Sequence, residues 1–76
     1  MELIDRFSKV IVQLRRRDNI KLTQEEVAKE AGLTLRYYQK LESGAAKRPS
    51  LEVVSKIAKA LGMKLSDFCK LIEEID

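Results

Sequence analysis

The sequence predicts an all-α fold, and three observations predict it. Apolar residues recur at spacings of three and four along most of the chain, the period of helices that bury one face. Only one proline and three glycines occur among the 76 residues, so few positions interrupt a helix. The boundary residues agree with that period: Thr23, Thr34 and Ser50 each precede an apolar run, and Gly32, Gly44 and Gly62 each follow one. Five helices joined by short turns are therefore expected, packed as one compact domain over 1–76.

The first helix is expected from about Glu2 to Arg17. Leu3 or Ile4, Phe7, Val10, Ile11 and Leu14 form its apolar stripe, and Arg6, Lys9, Gln13, Arg16 and Arg17 lie mostly off it. Asp18 to Lys21 reads as a loop, after which Ile20 and Leu22 tuck inward. The second helix covers about Gln24 to Ala31. Thr23 caps it, and Glu26 three residues later completes a capping box. Gly32 stands where the backbone must reverse and is expected to take positive φ, which glycine adopts without steric cost. Thr34 caps a third helix from Leu35 to about Ser43. Val27, Ala31, Leu33, Tyr38 and Leu41 then share one core, and Ala28 is small enough for a close helix crossing.

Gly44 stops the third helix, and residues 45–49 form a loop. Ser50 caps the fourth helix, with Glu52 placed to complement its dipole. Leu51, Val54, Ile57, Ala58 and Leu61 make its stripe, and Gly62 ends it. Ser66, or the residue before it, opens a fifth helix that ends near Ile75. Leu65, Phe68, Cys69 and Ile72 are expected to face inward.

Composition narrows the function. A core of this size is marginal alone, so a partner copy would add burial. No apolar run approaches a membrane span and no signal-peptide pattern opens the sequence, which leads us to expect a cytoplasmic protein. One cysteine, Cys69, allows no intrachain disulfide. The formal net charge is +3, and it is unevenly spread. Residues 1–22 carry six basic and three acidic side chains, whereas residues 50–76 carry four and five. A polyanion on one face fits that asymmetry. Catalysis finds no support: there is no histidine, no metal-ligand cluster and no glycine-rich phosphate loop. Glu25–Glu26 and Glu73–Glu74 are sequence neighbours, and such pairs do not converge on one helix face. Neither a cofactor nor a small-molecule ligand is expected.

The stretch from Thr23 to Ser43 resembles the helix-turn-helix of the phage-repressor (Cro/cI) or XRE family. Gln24, Ala28, Gly32, Leu33, Thr34, Leu41, Glu42 and Gly44 carry the match, followed by Pro49, Ser50 and Leu51. The likeness covers about residues 22–68. It implies a lambda-repressor-like domain that binds double-stranded DNA, of the kind found in restriction–modification controllers, phage Cro-type repressors and stand-alone XRE regulators. The loop after the first helix is about two residues longer than is usual in the family.

The resemblance also implies a site. In the family the outer face of the third helix enters the major groove, where base edges differ in donor, acceptor and methyl pattern. Here that face carries Leu35, Arg36, Gln39, Lys40 and Ser43, flanked by Tyr37, with Thr34 at its start. Arg36 is expected to pair with guanine, Gln39 with adenine, and Lys40 with guanine or a phosphate. Leu35 is expected to pack on a thymine methyl. Tyr37, Gln24 at the start of the second helix, and Lys47 and Arg48 in the following loop are expected on the DNA backbone. Glu42 matches a glutamate that pairs, in relatives, with an arginine of the first helix. Arg15 is the match, with Arg16 or Arg17 as candidates if the longer loop shifts the register.

Apolar residues beyond the needs of one core lie on the last two helices: Val53, Ala60, Leu71 and Ile75. These predict a two-fold homodimer, with recognition helices roughly 34 Å apart on a palindromic operator. The expected function is a sequence-specific transcriptional regulator of prokaryotic or phage origin. An antitoxin-type interaction module that also binds DNA is the alternative, although the segment after Phe68 offers only eight residues to occupy a toxin.

Overall fold

The computed structural model describes residues 2–75 and consists of five helices: α1 (Leu3–Arg15), α2 (Gln24–Glu30), α3 (Leu35–Ser43), α4 (Leu51–Ala60) and α5 (Leu65–Glu74). Helix α1 packs on α3 and α5, α2 packs on α3 and α4, and α4 packs on α5. The core is shared by all five. Its largest fully buried side chains are Tyr38, Phe68, Ile11, Leu14, Leu41, Ile57 and Val27. Each such side chain contributes about 1.5–3 kcal/mol through removal from water. Phe7 of α1 meets Phe68 of α5 edge-on, with ring centroids 5.9 Å apart, a favoured aromatic geometry.

Local chemistry sets most boundaries. Thr23 Oγ1 accepts from the Glu26 N–H, and the Glu26 carboxylate accepts from the Thr23 N–H at 2.9 Å. Those bonds hold the Glu26 carboxyl below its ordinary range. Thr34 and Ser50 cap α3 and α4 in the same way, through the N–H groups of Tyr37 and Val53. Gly32 and Gly44 take φ of 69° and 78°, left-handed turns that let the chain reverse on either side of α3.

Two expectations need correction. Helix α1 ends at Arg15, with Arg16 as its C-cap, not at Arg17. The Arg17 N–H bonds back to the Leu14 carbonyl, and the Arg17 carbonyl accepts from both Ile20 and Lys21 (2.9 and 2.8 Å). The chain thus folds over at Arg17 and does not extend the helix. Leu51 is not part of the core stripe; it is 70% exposed. It is the first residue of α4 and borders an open groove, whereas Val53 and Val54 of the same turn pack on the core. Of the two residues expected to open the α1 stripe, Ile4 packs on the core and Leu3 is 66% exposed.

Leu3 and Leu51 border one open groove of about 680 Å³, also lined by Phe7, Pro49, Cys69 and Ile72. Val53, Ala60, Leu71 and Ile75 are half-buried against the core and do not line that groove. No described helix is long and apolar enough to cross a membrane.

Candidate nucleic-acid interface

The site is organised by α3, a nine-residue helix with two unlike faces. Its inner face buries Tyr38 and Leu41 completely. Its outer face exposes Leu35 (38%), Arg36, Gln39 and Lys40, and Tyr37 is half-buried on the flank. Arg36 and Lys40 enter no ion pair among the described residues. Lys47 and Arg48 are exposed in the loop that follows, and Arg48 also borders the apolar groove. Thr34 faces the helix it caps, so its hydroxyl is engaged with the Tyr37 N–H.

The far end of α3 is fixed by α1. Arg15 makes a two-pronged contact with Glu42: Nε donates to Oε2 at 2.5 Å and Nη2 to Oε1 at 3.0 Å. Both side chains are largely buried, and the paired geometry is the strong form of this interaction. Arg16 and Arg17, the other candidates for this contact, are exposed and lie beyond the helix. The third Arg15 nitrogen, Nη1, donates to the Leu22 carbonyl at 3.1 Å, which ties the entry of α2 to the same point.

Gln24 joins this cluster. Its Nε2 donates to Glu42 Oε1 at 2.9 Å, and its Oε1 accepts from Gln39 Nε2 at 3.3 Å. Gln24 and Gln39 are thus held to each other, bridging the start of α2 to the outer edge of α3.

Electrostatics follow from that packing. Burial alone would push the Glu42 carboxyl up, but the hydrogen bonds and charge it receives outweigh burial and hold it below its ordinary 4.5. The Tyr38 hydroxyl lies beside the pair, buried and without a hydrogen bond of ordinary geometry among the described residues. We therefore assign the depression to Arg15 and Gln24, whose contacts stand at hydrogen-bond distances. Glu42 in turn holds the Arg15 guanidinium more firmly protonated, and burial pushes the Tyr38 phenol up.

Sequence reasoning missed a second tether. Ser8, the only buried polar side chain among the described residues, donates from Oγ to the Leu41 carbonyl at 2.6 Å, shared with its own Ile4 carbonyl at 2.9 Å. The signal was present: Ile4, Ser8, Ile11 and Arg15 follow helical spacing, so Ser8 is a polar residue on a buried stripe. Among the described residues no group of three His, Cys, Asp or Glu side chains is placed to hold a metal ion.

Comparison with known proteins places this geometry. A helix-turn-helix family model matches residues 13–68. Among solved structures, the clp gene regulator ClgR from Corynebacterium glutamicum superposes with a TM-score of 0.84 at 22% identity, covering 96% of this chain and 74% of that one. The restriction–modification controller protein C.Esp1396I superposes with a TM-score of 0.84 at 22% identity, covering 97% of this chain and 91% of that one. At that identity the likeness shows a shared fold. No curated protein gives a significant sequence match.

Proposed function

The chain belongs to the helix-turn-helix family of XRE/Cro-cI type, whose members are DNA-binding transcription regulators, and from that premise we propose that it reads a specific duplex sequence as a homodimer. One observation carries the proposal. The outer face of α3 presents Arg36 and Lys40 without partners among the described residues, while the inner face is locked to α1 and α2. A rigid helix with free cationic ends and an amide braced by Gln24 suits the major groove, which admits a helix and offers guanine and adenine edges to such groups.

In this reading Arg36 pairs with guanine, Lys40 with guanine or phosphate, and Leu35 packs on a thymine methyl. Gln39 reaches adenine while braced by Gln24. Tyr37, Gln24, Lys47 and Arg48 grip phosphates, with Thr34 setting the start of the helix. The whole chain, 1–76, acts as one domain. Two copies meet through α4 and α5, by way of the half-buried Val53, Ala60, Leu71 and Ile75. Two-fold symmetry then calls for an inverted-repeat operator. Bound copies cover the operator and thereby block or recruit polymerase.

The test is sedimentation of the purified protein with and without duplex DNA at low ionic strength. A dimer at micromolar concentration that adds one dimer per duplex site is the expected result. A monomer that does not shift the duplex would end the proposal.

A further inference from the structure

We propose that the loop between α1 and α2 is a second phosphate-gripping surface for duplex DNA, separate from the loop that carries Lys47 and Arg48. The inference rests on the reading that α3 docks on a duplex. It starts from the basic excess in residues 1–22. Arg6 and Arg15 are committed inside the fold, Arg6 to the Glu73 carbonyl and Arg15 to Glu42. Arg16, Arg17 and Lys21 are exposed and form no ion pair among the described residues. Between Arg16 and Lys21 the only carboxylate is Asp18. Lys9 is engaged as well, so among the described residues the free cationic side chains of residues 2–22 sit in one short segment.

The segment is built, not slack. Ile20 and Lys21 both donate to the Arg17 carbonyl, and Leu22 donates back to the Arg15 carbonyl at 3.1 Å. Arg15 Nη1 closes the loop on the Leu22 carbonyl. Lys21 holds φ at 44°, the one left-handed non-glycine backbone among the described residues. That conformation is strained for an L-residue with a side chain. The fold tolerates it to bring the chain round into Leu22 and Thr23. Cations on an ordered turn lose less freedom on binding than cations on a free tail.

Position supplies the partner. Lys21 stands three residues before Gln24, a chain reach of at most about 10 Å. Gln24 is bonded to Gln39 on the outer edge of α3. The Arg15 guanidinium that closes the loop also grips the end of α3. The loop thus flanks the face presented to DNA on the α2 side, whereas Lys47 and Arg48 follow the C-terminal end of α3. A duplex seated on α3 would then meet cations from two loops. Glu25 and Glu26 are exposed at the start of α2, so the positive charge of that edge lies in the loop before it.

Phosphate contacts govern salt dependence and carry no sequence information. The test measures duplex affinity against salt concentration for the wild type, for the triple variant Arg16→Gln, Arg17→Gln, Lys21→Gln, and for Lys21→Gly. Glycine suits the left-handed position, so Lys21→Gly removes a charge without loss of the fold. The slope of log affinity against log salt should become shallower by about 2.7 in the triple variant and by about 0.9 in Lys21→Gly. The ratio of preferred to unrelated duplex affinity should stay constant. Slopes equal to the wild type, with the wild type still binding, would overturn the loop's role alone. A wild type that binds no duplex would overturn this inference together with the reading beneath it. Asp18→Asn supplies a gain that misfolding cannot mimic: all duplexes should bind about twofold more tightly, and unchanged or weaker binding counts against the proposal.

Discussion

The two faces of α3 share nine residues and differ in what explains them. On the inner face every side chain has an intramolecular reason. Tyr38 and Leu41 fill the core, Glu42 answers Arg15 and Gln24, and the Leu41 carbonyl answers Ser8. On the outer face, folding does not require an arginine at position 36 or a lysine at position 40; both are exposed and unpaired among the described residues. The comparison teaches that the inner face fixes the position of the helix and the outer face holds the chemistry left free to act. If that division is right, inner-face changes alter stability first, and outer-face changes alter recognition alone.

The largest effect should come from Glu42→Ala. It strands Arg15 in largely buried surroundings, which costs about 3–5 kcal/mol. In a domain of this size that lowers the Tm by more than about 10 °C, as thermal unfolding followed by circular dichroism would read. An unchanged Tm would mean that the pair does not fix the inner face. Arg36→Ala should lose about 1–3 kcal/mol on a preferred duplex, much less on unrelated DNA, and leave the Tm unmoved. Equal losses on both duplexes would make Arg36 a backbone contact.

Ser8→Ala should cost about 1 kcal/mol of stability, since the Leu41 carbonyl keeps only a long contact from the Gly44 N–H at 3.4 Å. Chemical denaturation with an unchanged midpoint would show the hydroxyl to be dispensable. The gentlest probe is pH. Glu42 ionises more readily folded than unfolded, so its contribution is present above about 4.5 and is lost as pH falls below that value. The stability curve of the wild type should therefore drop below about pH 4.5, and Glu42→Gln should flatten that drop. Parallel curves would locate the acid sensitivity elsewhere.

Much of the fold was legible because its signals are local. Thr23, Thr34 and Ser50 cap the helices expected of them, Gly32 turns left-handed as the reversal requires, and α3 spans Leu35–Ser43. The end of α1 was not legible. Arg16 and Arg17 are good helix formers, and only the clasp of Arg15 on the Leu22 carbonyl reveals that the chain turns there. Leu51 misled for a related reason. Periodicity assigns it to a face, but whether another helix covers the first turn of that face is a tertiary fact. In the candidate site, the pairing of Arg15 with Glu42 followed from family likeness and not from spacing, since 27 residues separate the partners. The Ser8 tether escaped because a small polar residue on a buried stripe can simply be tolerated. Base contacts depend on a molecule outside the chain, so no internal period encodes them.

The most direct measurement is selection of bound duplexes from a random pool by the purified protein. The account predicts enrichment of one recurring motif with inverted-repeat symmetry, weakened at defined positions when Arg36→Ala replaces the wild type. A recovered pool indistinguishable from the starting pool, even at low ionic strength, would contradict it.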